Sequence, residues 1–245
     1  MEKEQGVSYD SPYYIQLREV LRNKIETGEY LPGTAIPSEP ELAKLYGLNQ
    51  KTVRSAIELL VKEGLLKKIQ GKGTFVEGDK IQRDISNMEG FISKVEQRRD
   101  DVEVKVLKKY LRRAGEYYAK VFDMGKNEEL YFVQRLIARK GVPISVEESY
   151  IEKKILPVIE DVNLSVYSIR DIFDFYGITI TKTRQYLNIV KTDSKTAKLL
   201  KIDPEDYILK FSGCHFNDEG RIVECFNHYS RGDILRYQVE FSGQK

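Results

Sequence analysis

The sequence predicts an α+β protein, with helices in the N-terminal third and a mainly antiparallel sheet in the remainder. Apolar residues recur every three or four positions along residues 13–61, as on the buried side of helices. After residue 102, apolar and polar residues alternate along several segments, as in strands with one buried face. The polar stretch 78–90, GDKIQRDISNMEG, is typical of a linker. We therefore predict a first domain over 1–77, a linker over 78–90 and a second domain over 91–245.

Composition and charge favour an ordinary globular protein. The chain has 245 residues, of which 41% are hydrophobic and 32% charged, and its formal net charge is +2. It has no apolar run near the roughly 18 residues of a membrane span, and its start, MEKEQGVSYD, lacks the apolar region of a secretory signal. We expect a cytoplasmic protein.

Three helices are predicted in the first domain. Apolar residues at four-residue spacing predict a helix over 13–27 that ends at Gly28. Ser38 and Glu41 form a capping-box pattern, so a second helix begins at Ser38, and Gly47 ends it. Asn49 is a suitable N-cap for the third helix. The buried stripe of that helix consists of Val53, Ala56, Ile57, Leu60 and Val61.

The second and third helices, joined by a glycine turn, have the helix-turn-helix arrangement, and a hairpin with its tip at Gly71-Lys72-Gly73 follows. Positive charge is concentrated here, with seven Lys or Arg against three Glu from Lys44 to Glu77. A small helical module with a solvated basic face would also fit, but the order of features favours DNA contact by the third helix. The predicted DNA-binding residues are Ser38, Glu39, Asn49, Gln50, Lys51, Thr52, Arg54, Lys72, Gly73 and Thr74.

This region is similar to the winged helix-turn-helix of the GntR superfamily of bacterial transcription regulators. The resemblance rests on GEYLPGTAIPSEPELAKLYGLNQKTVRSAIELLVKEGLLKKIQGKGTFV and covers nearly all of residues 13–77. It implies a homodimer on an inverted-repeat, double-stranded operator. The family usually has Ser-Arg where this chain has Asn49-Gln50. Because an Arg fork suits guanine and Gln suits adenine, we expect a changed base preference there.

The second domain has seven candidate strands and four candidate helices. The strands are predicted at 103–111, 130–138, 143–151, 178–190, 207–216, 221–230 and 234–241. The helices are predicted at 91–99, 114–122, 165–176 and 194–201.

This layout resembles the UTRA ligand-binding domain of the HutC branch of the same superfamily. The matching motifs are Gly141-Val142-Pro143 through Glu147 to Tyr150, Ser168-Ile169-Arg170, Tyr176-Gly177-Ile178, Ala197 to Leu200, and Arg231-Gly232-Asp233. The resemblance implies a chorismate-lyase-like fold, a homodimer and an effector pocket, with effectors that are commonly sugar phosphates, sugars or small organic acids.

Arg135 and Glu147 are the first candidate effector-binding residues. Arg135 shares a strand face with apolar residues, where a cation is costly without an anion or carboxylate. A three-residue turn at 140–142 would place Glu147 directly opposite Arg135. The pair is therefore either a structural salt bridge or, as the resemblance implies, part of the effector site.

Ser168 and Arg170 are the second candidates. Ser168 is a predicted N-cap, and Arg170 lies in the first helical turn, where the helix dipole disfavours a cation. A bound anion would relieve this, as would the nearby Asp171 and Asp174, and both alternatives stay open. The family usually has Tyr at the position of Arg170, which favours an anionic effector. The resemblance also implies effector contacts from Phe91, Ser93, Tyr229, Ser230 and Arg231.

The two cysteines, Cys214 and Cys225, lie in one predicted hairpin around residues 217–220. A tight turn would place Cys214 opposite a residue near Val223, so we expect two buried thiols without a disulfide. Together with the two histidines they lack the ligand spacing of a zinc site.

The sequence and these resemblances predict an effector-controlled transcription regulator, which in this branch is most often a repressor, with no cofactor or metal. Ligand capture is expected to reorient the linker so that two winged helices no longer meet successive half-sites. A lyase-like enzyme is a rival, but no nucleophile–base pair or metal cluster supports it. The other rival is an architectural DNA-binding protein with a purely structural second domain.

Overall fold

The computed structural model describes residues 12–78 and 102–235. The chain divides into two compact units. The first contains residues 12–78 together with Asp161–Gly177, and the second contains residues 102–160 and 178–235. None of the helices in these described ranges is long and apolar enough to cross a membrane.

The three predicted helices of the first unit are confirmed. They are α1 (Tyr13–Glu26), α2 (Glu39–Tyr46) and α3 (Gln50–Lys62). Ser38 and Glu41 form the complete capping box before α2, and Gly47 ends that helix in the left-handed conformation with φ of 64°. The side chain of Asn49 accepts the backbone N–H of Thr52 and so caps α3.

The predicted hairpin is also confirmed, as strands β1 (Leu66–Ile69) and β2 (Gly73–Val76). The stripe of α3 packs with α1 and α2 into one apolar core. Its buried members include Leu17, Leu21, Leu42, Val53, Ala56, Ile57, Leu60 and Leu66. The fold therefore leaves the polar side of α3 in solvent.

The segment Asp161–Gly177 packs against the wing of this unit. Tyr167 is 3% exposed, lies edge-on to Phe75 at 6.2 Å between ring centroids, and donates its hydroxyl to the carbonyl of Val76 at 3.3 Å. Gly33, at φ of 82°, allows close approach, because a Cβ there would meet Ile172 Cδ1 at 3.0 Å. The helix of this segment is α5, Ile169–Phe175, which is shorter than the predicted 165–176.

The second unit is built on one antiparallel sheet of six strands. In sheet order these are β3 (Val102–Arg113), β4 (Glu129–Arg139), β5 (Val142–Glu152), β8 (Ile222–Ser230), β7 (Tyr207–Asn217) and β6 (Ile180–Lys191). Each candidate strand between 103 and 230 is therefore confirmed. Residues 236–241 of the seventh candidate strand and the candidate helix 91–99 lie outside the described residues, and Ile234 is in a turn.

Two helices cover one face of this sheet. Helix α4 (Gly115–Phe122) packs with Leu130 and Cys225, and helix α6 (Ser194–Leu200) packs with Val146 and Ile208. The chain after β5 returns to the opposite face, where the Tyr131 hydroxyl donates to the carbonyl of Pro157 at 3.2 Å. We call this opposite face, which carries Arg135, Glu147 and His228, the polar face.

The prediction of two free thiols is wrong. Cys214 and Cys225 are directly paired across β7 and β8 and form a disulfide. The ladder pairs Phe216 with Ile222 but His215 with Glu224, so Val223 is an extra, bulged residue. This bulge shifts the register beyond that of a tight turn and brings Cys225 opposite Cys214.

Candidate nucleic-acid interface and ligand site

The first turn of α3 presents polar side chains to solvent. Gln50, Lys51 and Arg54 are exposed, as predicted for residues that contact DNA. Asn49 and Thr52 also have a structural role, since Asn49 Oδ1 accepts the Thr52 backbone N–H at 2.8 Å and the Thr52 hydroxyl at 3.0 Å. The turn is therefore fixed by local hydrogen bonds before any DNA is bound.

Glu39 joins α2, α3 and the wing. Its carboxylate accepts the Arg54 Nε–H at 3.0 Å and also binds the Lys68 ammonium. The hydrogen bond from Lys68, followed by that from Arg54, lowers the pKa of Glu39. Glu39 thus holds two of the cations of this surface in place and neutralises part of their charge.

The wing residues differ in accessibility. Lys72 is exposed at the tip, and its ammonium donates to the carbonyl of Ser165 at 2.9 Å. Gly73 is exposed, whereas Thr74 is only 8% exposed. Ser38, the remaining predicted contact, is exposed and bound to Glu41 through its capping box. The side chain of Thr74 is consequently the least available of these groups.

A row of three polar side chains, two of them buried and charged, crosses the polar face. Arg135 on β4 is directly opposite Glu147 on β5, which is directly opposite His228 on β8. Arg135 Nη2 lies 2.6 Å from Glu147 Oε2, and the two side chains are 8% and 3% exposed. The predicted pairing is confirmed, but its geometry differs, because a two-residue turn and a bulge at Ile144 replace the three-residue turn.

The charges and burial of this row shift the pKa of Glu147 and of His228. Burial, the largest single effect, would raise the pKa of Glu147, but the charge of Arg135, the neighbouring His228 and the hydrogen bond from Arg135 together hold that pKa below its ordinary value. Burial and the neighbouring Arg135 lower the pKa of His228 against the opposing effect of Glu147. His228 is therefore neutral at pH 7. Its Nδ1 is buried and has no hydrogen-bond partner among the described residues.

Sequence reasoning missed His228 and its neighbours on this face. The rings of His215, Phe226 and His228 follow one another across β7 and β8 at centroid distances of 4.9 and 4.8 Å. Glu224, 5% exposed, has its carboxylate 3.8 Å from His215 Nε2. The signal was present, because Glu224, Phe226, His228 and Ser230 occupy alternate positions of one strand and so share a face.

The three predicted effector residues at the end of β8 are not brought together. Ser230 lies on the polar face, 0% exposed, and its hydroxyl has no partner within the described part of the chain. Tyr229 points to the opposite face, where it packs near α6 and burial raises its pKa to about 12. Arg231 binds Asp233 through two hydrogen bonds of 3.1 and 2.7 Å.

Ser168 and Arg170 belong to the first unit, at the start of α5. The predicted cap is confirmed: Ser168 Oγ accepts the Asp171 N–H at 3.0 Å, and the Asp171 carboxylate accepts the Ser168 N–H at 2.9 Å. A carboxylate therefore already occupies this helix start. The predicted contacts Phe91 and Ser93 lie outside the described residues.

The described residues contain no group of three or more His, Cys, Asp or Glu side chains that could hold a metal ion. The chain thus combines a winged helix that presents polar side chains to solvent with a sheet whose polar face leaves His228 Nδ1 and the Ser230 hydroxyl without a partner in the described ranges. This combination defines a DNA-binding regulator that senses a small molecule.

Comparison with known proteins identifies the family. Residues 13–76 match the model of the bacterial regulatory proteins of the gntR family, and residues 97–236 match the UTRA domain. The chain belongs to the GntR family of transcription regulators, in the branch that carries a UTRA domain. It is a transcription regulator that binds operator DNA under the control of a small-molecule effector, and it is not an enzyme.

Individual relatives align over nearly the full chain. The repressor MngR of the mannosyl-D-glycerate transport/metabolism system of Escherichia coli is 26% identical over 231 residues, 94% of this chain and 95% of its own. The transcriptional repressor NagR of Bacillus subtilis is 25% identical over 222 residues, 91% of each chain. The crystal structure of PhnF from Mycobacterium smegmatis has a TM-score of 0.60 at 18% identity, covering 95% of this chain and 100% of PhnF. The last likeness supports the fold.

Proposed function

We propose that this regulator is a cytoplasmic homodimer that represses transcription from an inverted-repeat operator and responds to a small polar metabolite bound on the polar face. The observation that carries the ligand site is the row Arg135, Glu147 and His228. A buried imidazole nitrogen without a partner costs free energy unless a ligand hydrogen-bonds to it. The unpartnered hydroxyl of Ser230 on the same face, within the described part of the chain, offers a second such contact.

The proposed effector carries several hydroxyl groups together with an anionic group, as a sugar phosphate or sugar acid does. The carboxylate of Glu147 can accept hydrogen bonds from ligand hydroxyls. His228 Nδ1 can form a further hydrogen bond with the same ligand. Arg135 is already neutralised by Glu147, so an anionic group needs a further cation. Arg170, in the first turn of α5, remains a proposed effector contact on its own, independent of the polar face. The name of the system that MngR represses, which refers to a sugar linked to an acid, supports this choice of compounds.

The proposed route from effector to DNA passes through the segment Asp161–Gly177. Ser168 and Arg170 lie on this segment, which packs on the wing through Tyr167 and binds Lys72 at the wing tip. An effector that holds this segment would therefore act on a DNA-contacting element directly. The linker at 78–90 is a second proposed route, and couplings of this kind amount to about 1–3 kcal/mol.

The DNA contacts are proposed at the exposed polar residues of α3 and at the wing tip. Gln50 is the proposed base-reading residue, and its amide fits adenine N6 and N7. Selection of half-sites from random DNA tests this directly. Gln50→Arg should move the preference at one base pair of each half-site from adenine to guanine, and an unchanged preference would place Gln50 away from the bases.

A thermal-shift screen tests the effector proposal, using the full chain against sugar phosphates, sugar acids and neutral sugars. A ligand at 100 times its Kd stabilises by about 2.7 kcal/mol, which gives a clear shift in Tm. The double variant Arg135→Met/Glu147→Leu should lose the shift caused by any hit. The matched control is Glu129→Leu/Lys153→Met, an exposed pair at 2.8 Å between the start of β4 and the residue after β5, which should keep it.

The outcomes of this screen separate the proposals. A hit that both double variants retain would exclude the polar face as the ligand site. A hit among neutral sugars alone would exclude an anionic effector, and an Arg170→Ala variant with full affinity for a charged hit would exclude that contact. Sedimentation of the free protein and of its operator complex tests the dimer, for which two chains per operator are expected.

A further inference from the structure

The disulfide between Cys214 and Cys225 has no part in the function proposed above. It joins neighbouring strands β7 and β8 on the helix-covered face of the sheet. A disulfide is unusual in a cytoplasmic protein unless it is catalytic or responds to oxidants. The two positions differ in a way that matters for such chemistry, since Cys225 is 7% exposed and Cys214 is partly exposed.

The surroundings of Cys214 favour its thiolate. Arg184 on β6 is directly opposite Cys214. Its guanidinium lies 5.6 Å from the ring centroid of Phe216, which is two residues from Cys214 on β7 and so on the same face of the sheet. A neighbouring cation lowers the pKa of a thiol and so increases the fraction present as the nucleophilic thiolate. Both cysteines pack in the apolar cluster beside α4, but Cys225 is a buried member of it and Cys214 only a partly buried neighbour, so burial disfavours the thiolate of Cys225 more.

Other charged and titratable groups lie on this face, among them Arg112, whose guanidinium is 5.8 Å from the ring centroid of Tyr150. Tyr150 of β5 lies directly opposite Cys225, and burial raises its pKa, so it is neutral at pH 7. Glu152, two residues further along β5, lies 3.9 Å from the guanidinium of Arg221. Lys182 on β6 adds a second cation near Phe216, with its ammonium 5.4 Å from that ring.

We propose that Cys214 and Cys225 form a hydroperoxide-sensitive thiol pair, in which Cys214 is the attacking and Cys225 the resolving residue, and that its oxidation state alters the strands of the polar face. A partly exposed thiolate beside a second cysteine is the arrangement of redox-sensing sites. The structure holds the oxidised form.

The chemistry balances with one hydroperoxide for each pair. The Cys214 thiolate attacks the terminal oxygen of the peroxide, so that an S–O bond forms, the O–O bond breaks, and the departing hydroxide or alkoxide takes up a proton. The Cys225 sulfur then attacks the Cys214 sulfur. The S–S bond forms, the S–O bond breaks and water leaves, and the two thiols have supplied the two electrons that reduce the peroxide.

The link to the polar face follows from strand alternation. His215 adjoins Cys214 and Glu224 adjoins Cys225, so both side chains lie on the opposite face and are directly paired with each other. The disulfide closes next to the bulge at Val223 and fixes the register there. Reduction releases that constraint beside His215, whose ring is the first in the series His215, Phe226 and His228.

The first test uses hydrogen peroxide and a dimedone probe for sulfenic acid. Reduced Cys225→Ser should give a dimedone adduct at Cys214 after equimolar peroxide, whereas Cys214→Ser should give none. Arg184→Gln should slow disulfide formation in the otherwise native chain by roughly 3- to 10-fold at pH 7, since one pKa unit changes the thiolate fraction about tenfold. The control Lys191→Gln, on the same strand opposite Tyr207, should leave the rate unchanged.

The second test reads the polar face without any effector. The chain has only two histidines, so NMR titration of their ring signals in the oxidised and reduced wild-type protein is directly assignable with a His215→Asn variant. We expect both signals to differ between the two states. Identical histidine signals would overturn the coupling, and a Cys214 that peroxide does not oxidise, or that reacts as fast in Arg184→Gln, would overturn the redox site. Both readouts are independent of whether the proposed effector is correct.

Discussion

Removal of Glu147 alone should strongly destabilise the sheet. Glu147→Leu leaves the guanidinium of Arg135 buried beside an apolar side chain, where only 8% of the Arg135 side chain is exposed. Breaking a buried ion pair from one side costs about 3–5 kcal/mol, because the remaining charge has lost its compensation. The neighbouring His228 also loses the carboxylate that favours its protonated form, so its pKa should fall further.

Removal of both charges should cost much less. In Arg135→Met/Glu147→Leu, two apolar side chains of similar length fill the same space, and such replacements are commonly neutral or stabilising by about 1–4 kcal/mol. We therefore expect a double-mutant cycle with a coupling of several kcal/mol between the two positions.

Urea unfolding of the wild type, the two single variants and the double variant measures this cycle. Amide hydrogen exchange of β4 and β5 assigns the transition to the sheet. The reasoning would be refuted by a Glu147→Leu variant that loses less than about 1 kcal/mol, or by a double variant as unstable as the singles. A stable double variant without ligand binding would show that the pair is kept for function.

Three further predictions concern DNA binding, pH and backbone packing. Arg54→Ala should weaken operator binding and reduce the slope of log K against log salt by about 0.9 if it neutralises one phosphate, while Lys62→Ala at the other end of α3 should leave the slope unchanged. Because the pKa of His228 is lowered from 6.5, its contribution to the free energy of unfolding is full above pH 6.5 and declines as the pH falls below it. A His228→Leu variant should flatten the Tm profile from about pH 6.5 to 5. Gly213→Ala should destabilise the protein severely, since the new Cβ would lie 2.2 Å from a backbone oxygen. Gly220→Ala has nothing within 4 Å of its Cβ but a φ of 76°, so its free energy of unfolding should fall by only about 1 kcal/mol, as measured by thermal or urea unfolding.

Local sequence determined most of the elements. The caps at Ser38, Asn49 and Ser168 depend on side chains that bond to backbone three residues away, so their pattern is visible without the fold. The stripe of α3 and the alternating strands follow from the same kind of short-range periodicity. The helix-turn-helix and the wing were therefore predictable.

Tertiary structure decided the register of the β-hairpins and therefore which side chains share a face of the sheet. Ile144 and Val223 are bulged residues that are 2% and 0% exposed, and each shifts its hairpin by one residue. The shift at Val223 places Cys225 opposite Cys214 and so allows the disulfide that we did not expect from the sequence. The shift at Ile144 places Glu147 opposite Arg135, as predicted, but through a bulge and not through a three-residue turn. A bulge depends on which residue the folded sheet buries, which no turn pattern specifies.

Contacts between distant segments were likewise absent from any local pattern. Glu39 binds cations of α3 and β1, and Tyr167 completes the apolar contacts on the wing from a position about 90 residues further along the chain. His228 became a candidate only when three strands placed it beside Glu147. Helix caps and periodicity arise within a few residues and so can be read from the sequence, whereas these contacts exist only after segments far apart in the chain have packed together.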